Sequence, residues 1–69
     1  MTNEMKTYKE LDKIADNVQE LLNRVSDMLH ENMNDAERND NNTSVLCHFK
    51  VALLTARTDI NEALSKFEL

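Results

Sequence analysis

The sequence predicts an all-α chain: a two-helix antiparallel hairpin, coiled-coil-like, completed by a partner chain or by homodimerisation. Three observations lead there. Between Tyr8 and Met33, apolar residues fall at Leu11, Ile14, Ala15, then Val18, Leu21, Leu22, then Val25, Met28, Leu29, one pattern repeated at seven-residue steps. At about 3.6 residues per turn, these positions make one continuous stripe on a helix. Gly and Pro are both absent, which disfavours tight turns of positive φ and fixed kinks and favours long uninterrupted helices. Finally, two apolar segments are separated by Asn34 to Asn42, which reads Asn-Asp-Ala-Glu-Arg-Asn-Asp-Asn-Asn. Asn and Asp side chains bond their own backbone and favour turns and caps over helix interiors.

Taken in order, Met1 to Lys6 reads as a frayed lead-in, and the first helix is expected over about residues 8–34. Thr7 followed by Glu10 has the spacing of a capping box, with the hydroxyl on an early backbone N–H and the carboxylate reaching back. The rest of the helix surface is polar, with Asp12, Lys13, Asp16, Glu20, Asp27 and Glu31. The stripe stops at Asn32, and the polar connection is placed at about residues 35–42. The second helix is expected over about residues 43–67, with Asn42, Thr43 or Ser44 as its N-cap. Its main stripe is Leu46, Phe49, Leu53, Ala56, Ile60, Ala63, Leu64 and Phe67. A connection this short makes the helices antiparallel neighbours. Leu21 and Leu53 are the expected seam residues, in a single domain spanning residues 1–69.

A chain of 69 residues builds a core that rarely supplies more than about 3–5 kcal/mol without a staple. A single cysteine, Cys47, closes no intramolecular disulfide, and neither histidine has zinc-ligand spacing. The remaining staple is another polypeptide chain. The net charge of −5 argues against nucleic acid or an anionic membrane as partner. No run approaches the roughly 18 apolar residues of a membrane span. The N-terminal residues lack the apolar core of a signal peptide, and one free cysteine fits a reducing, cytoplasmic setting.

Surplus apolar surface is the main functional signal. Cys47, Val51 and Leu54 are spaced i, i+4, i+7, and at about 100° per residue they centre roughly 150° from the main stripe. One hairpin partner covers only one of these faces. On the first helix, Leu22 and Leu29 widen the stripe beyond the two seam positions per heptad that a two-stranded coil needs. With a fold-back near residue 38, they come level with Lys50 and Arg57. Either the alkyl stems of those residues cover them, or a third helix does. Cys47, Val51, Leu54, Leu22 and Leu29 are therefore the candidate partner-binding residues.

Chemical readings are weak throughout. Cys47 and His48 are adjacent, so on a helix they point about 100° apart and form no nucleophile–base pair. His30-Glu31 opens like a zinc-protease helix, but Asn34 stands where the second histidine is required. Counted from Asp35, the polar connection has Asp40 and Leu46 where a calcium loop needs Gly and Glu. Lys6, Lys9 and Lys13 are interleaved with Glu10 and Asp12, a solvated face and not the net-basic stripe of a nucleic-acid footprint. No enzyme activity, cofactor, metal or small-molecule substrate is expected.

Short length, a Met-Thr start, two helices joined by a polar loop and an alanine- and leucine-bearing second helix resemble the small co-chaperones of bacterial type III secretion needles. The resemblance covers Leu11 to Leu29 and Leu46 to Phe67, and it is one of size and pattern. It implies a cytoplasmic hairpin that binds a larger chaperone of stacked helical repeats, the pair holding the needle subunit monomeric. The competing expectation is a homodimeric four-helix-bundle regulator or inhibitor of the kind that phages and plasmids encode.

Overall fold

The computed structural model describes residues 3–68, so the Met-Thr start lies outside the described residues. Two helices account for nearly all of them: α1 spans Asn3–Asn34 and α2 spans Asp40–Leu64, with no strand among the described residues. They lie side by side and antiparallel, as the polar connection between two striped segments requires.

α1 begins earlier than the Thr7–Glu10 pattern implies. The Thr7 hydroxyl donates back to the Asn3 carbonyl at 3.0 Å, an i to i−4 bond that a threonine makes inside a helix, so it caps nothing here. α2 also starts early. Its N-cap is Asn39, with extended φ and ψ of −101° and 120°, and the Asn39 side-chain oxygen accepts from the Asn42 N–H at 3.1 Å. Asp40 follows in the first turn, where a carboxylate suits the positive end of the helix dipole. The connection is thus residues 35–39. The Asp35 carboxylate accepts from the Glu37 N–H at 2.8 Å, and the Arg38 N–H closes on the Asp35 carbonyl at 3.2 Å. No residue with positive φ is needed, consistent with a chain that has no glycine. At the other end α2 stops at Leu64, short of residue 67. The Ser65 hydroxyl donates to the Glu62 carbonyl at 2.6 Å, while the Lys66 and Phe67 amides bond three residues back, to Ala63 and Leu64. That tightened last turn uses up carbonyls the helix would otherwise leave open.

The seam follows steps of three and four residues on both helices. From α1, Ala15, Val18, Leu22, Val25, Leu29 and Asn32 turn inward; from α2, Thr43, Leu46, Lys50, Leu53, Arg57, Ile60 and Leu64 do. Leu22, only 4% exposed, is the one buried apolar residue among those described. Leu21, expected in the seam, is 47% exposed. The correction is a rotation of α1 by about one residue, roughly 100°, which puts Leu22 and Leu29 inward in place of Leu21 and Met28.

Four contacts across the hairpin fix the register. Near the loop, the Asn32 amide donates to the Thr43 hydroxyl at 2.6 Å. In the middle, the Arg57 guanidinium donates to the Gln19 side-chain oxygen at 2.9 Å. At the open end, Tyr8 and Phe67 meet edge to face, with centroids 5.5 Å apart and planes at 84°. Beside them the Glu4 carboxylate accepts from the Glu68 N–H at 2.8 Å. The result measures 54 × 16 × 11 Å. Its smallest dimension is that of one helix, so the hairpin is a single layer, whereas stable domains pack two.

Candidate functional site

The two sides of this layer differ. On one side of α2 lie Cys47, Val51 and Leu54. Val51 is 61% exposed, Cys47 is an exposed free thiol, and Leu54 is half-buried at the margin of α1. Neighbouring positions on this side are polar, including Gln19, Ser26 and Thr58. Leu22 and Leu29 do not join them. Both sit in the hairpin's own seam, Leu22 buried and Leu29 half-buried; by the register of Gln19–Arg57 and Asn32–Thr43, Leu22 comes level with Leu53 and Leu54, and Leu29 with Leu46 and Cys47. Leu22 is buried within the hairpin, where it forms its core.

The other side carries a larger apolar face. Rotation of α1 leaves Ile14, Leu21 and Met28 outside the seam at seven-residue steps, 52%, 47% and 54% exposed. On α2, Phe49, Ala56 and Ala63 repeat the same step, with Val45 beside them; Phe49 is 59% and Val45 45% exposed. Near the open end Leu11 and Ile14 line a shallow groove with Ile60, Ala63, Leu64 and Phe67. Near the loop Met28, Val45 and Leu46 line another, with Asn42 at its edge. Leu21 and Ala56 fall between them by heptad spacing, so one face runs the length of the hairpin. The sequence stripes place Ile14, Leu21, Met28, Phe49, Ala56 and Ala63 with the seam residues, whereas Val45 lies outside both stripes. Three apolar residues per heptad allow two seams one residue apart, and the distinguishing signal lies in the polar residues. Thr43, Lys50 and Arg57 recur at sevens on α2, and each finds a polar neighbour or half-buried berth only when Gln19 and Asn32 of α1 turn toward that helix.

Chemically this face offers burial. Among the described residues no His, Cys, Asp and Glu side chains group as a metal ion requires. No helix among them is long and apolar enough to cross a membrane. Cys47 and His48 are both exposed. The Glu10–Lys13 ion pair at 4.0 Å is more than 70% exposed on both partners and so contributes little. Covering a large apolar side chain fully is worth about 1.5–3 kcal/mol, so each half-exposed residue of the face retains roughly half of that.

No protein-family model matches the chain, and neither does any curated protein or solved structure.

Proposed function

We propose that this chain acts by association: it is a helical-hairpin interaction protein, not an enzyme, whose open apolar face is covered by another helical chain. The observation that carries this reading is the row Ile14, Leu21 and Met28 facing out beside Phe49. Large apolar patches of this kind mark interfaces, and a single layer in which Leu22 alone among the described residues is buried gains its second layer from the partner. The biological role this supports is that of the secretion co-chaperones the sequence resembles, in which such a hairpin steadies a larger helical-repeat chaperone that keeps a needle subunit monomeric in the cytoplasm. A homodimeric regulator is the second reading, favoured by the matching seven-residue steps on the two helices of the face.

The test is a photo-crosslinking amino acid at position 49, with position 13 as a polar control, in cells that make the protein. Adducts at 49 and not at 13 are expected, and Leu21→Asp should remove them while leaving helix content unchanged. Equal adducts at both positions, or none at 49, would sink the reading.

A further inference from the structure

We infer that a second copy of this chain covers the face, stacked across a twofold axis parallel to the helices. The inference rests on the reading of this face as a docking surface, in its homodimeric form and not in the co-chaperone form. A twofold axis in that direction leaves height along the hairpin unchanged. Each α1 residue of one copy therefore lies over those α2 residues of the other that stand level with it in its own hairpin. The level is already fixed by Tyr8 against Phe67, Gln19 against Arg57 and Asn32 against Thr43. Ile14 consequently falls over the second copy's Ala63, Leu21 over its Ala56, and Met28 over its Phe49. At two of the three steps a large side chain meets an alanine, and at the third a thioether meets an aromatic ring, a favourable contact.

The rim agrees in charge. Glu10 comes level with the second copy's Lys66, and Asn17 with its Asp59, while Arg24 and Glu31 face Ala52 and Val45. No like charges are brought together along this edge. The alternative twofold, across the helices, lays α1 on α1 and, with its axis at Leu21, brings Glu10 near Glu31 of the other copy. Area points the same way. The chain exposes 5542 Å² at a mass of 8.0 kDa, whereas a compact monomer of that mass exposes about 4,500 Å². The excess of roughly 1,000 Å² is close to the ~800 Å² that each partner contributes to a standard interface. Stacking also turns one 11 Å layer into the two that a bundle needs.

The experiment is mass by light scattering and sedimentation on the full chain, with disulfide trapping in a Cys47→Ser background. A twofold mass is expected, with Leu21→Asp weakening association about 100-fold at unchanged helix content. Glu10→Lys should weaken it and Lys66→Glu in the same chain restore it, a swap of exposed residues that leaves each hairpin intact. Chains bearing Leu21→Cys mixed with chains bearing Ala56→Cys should form a mixed disulfide, and neither should crosslink alone. A single-chain mass at all concentrations would overturn the second-copy inference, and adducts at position 49 would then show the docking reading still standing with a different occupant. Self-crosslinking of Leu21→Cys would overturn the axis. A dimer indifferent to both Leu21→Asp and Phe49→Asp would overturn the inference and the docking reading together.

Discussion

The Asn32 side-chain amide donates to the Thr43 hydroxyl at 2.6 Å, joining the last turn of α1 to the first turn of α2. The apolar stripe breaks off at Asn32, yet the helix continues and the seam does too, with a polar pair in place of an apolar one. A neutral hydrogen bond of this kind contributes about 0.5–1.5 kcal/mol. Asn32→Ala should lower the melting temperature by several degrees, since about 1 kcal/mol moves a domain this small by roughly 4–8 °C. In a double-mutant cycle with Thr43→Ala, read at one protein concentration, the two changes should be less than additive. Full additivity would mean that the pair is not coupled.

Leu21 and Leu22 are neighbours with opposite roles. Leu22→Ala removes the one buried apolar side chain among the described residues, 4% exposed, and should cost about 2–5 kcal/mol. Leu21→Ala should leave the stability of an isolated hairpin within about 1 kcal/mol, its effect appearing in association and so depending on concentration. Denaturant titrations of both variants across a range of concentrations decide between this assignment and the reverse.

Arg57 occupies a seam position and is satisfied by Gln19 at 2.9 Å. Truncating it alone, as Arg57→Ala, strands the Gln19 acceptor and should destabilise by about 1 kcal/mol. Replacing both partners, as Gln19→Leu with Arg57→Leu, should be neutral or stabilising, because the polar pair and its desolvation disappear together. The expected loss is in uniqueness: polar seam residues specify register and oligomer state. Calorimetry should show an unchanged or raised melting temperature, and light scattering a broader mass distribution. A sharp drop in melting temperature would show the pair to be stabilising outright.

The turn separates two kinds of residue. Asn39 caps α2, and Asn39→Ala should cost about 0.5–2 kcal/mol, with Asn39→Ser tolerated. Two or three Gly and Ser residues inserted after Glu37 should change the melting temperature little, because loop closure grows slowly with length. The same insertion after Asp40 lies inside α2 and should be clearly destabilising. Equal effects at both points would contradict the cap assignment.

These residues also show what the sequence makes legible. Seven-residue steps, the absence of Gly and Pro and the Asn-Asp run lead directly to a hairpin that folds back near residue 38, because periodicity depends only on local geometry. The facing of α1 does not follow from periodicity. Leu21 and Leu22 are equally apolar, and the choice between them is made by α2, whose Thr43, Lys50 and Arg57 have to be accommodated. The caps were ambiguous for a related reason. Asn42, Thr43 and Ser44 are the caps the sequence points to, but a bond from the Asn42 N–H makes Asn39 the cap, three residues earlier. The expected partner stripe at Cys47, Val51 and Leu54 is present as an exposed or half-exposed edge, but the broader open face came into view only once the rotation of α1 was known.

Distance along the chain grows steadily away from the turn. The paired residues are 11 apart at Asn32–Thr43, 38 apart at Gln19–Arg57 and 64 apart at Glu4–Glu68. Closing the first pair fixes a short loop, and each later pair then extends an existing zipper, so little additional closure entropy arises at any one step. Zipper-like closure of this kind leads us to expect folding from the asparagine-rich tip outward. Stopped-flow kinetics should therefore divide the seam by height: Asn39→Ala and Asn32→Ala slow folding, whereas Tyr8→Ala and Phe67→Ala chiefly speed unfolding. The Tyr8–Phe67 end is the last to close and the first to open.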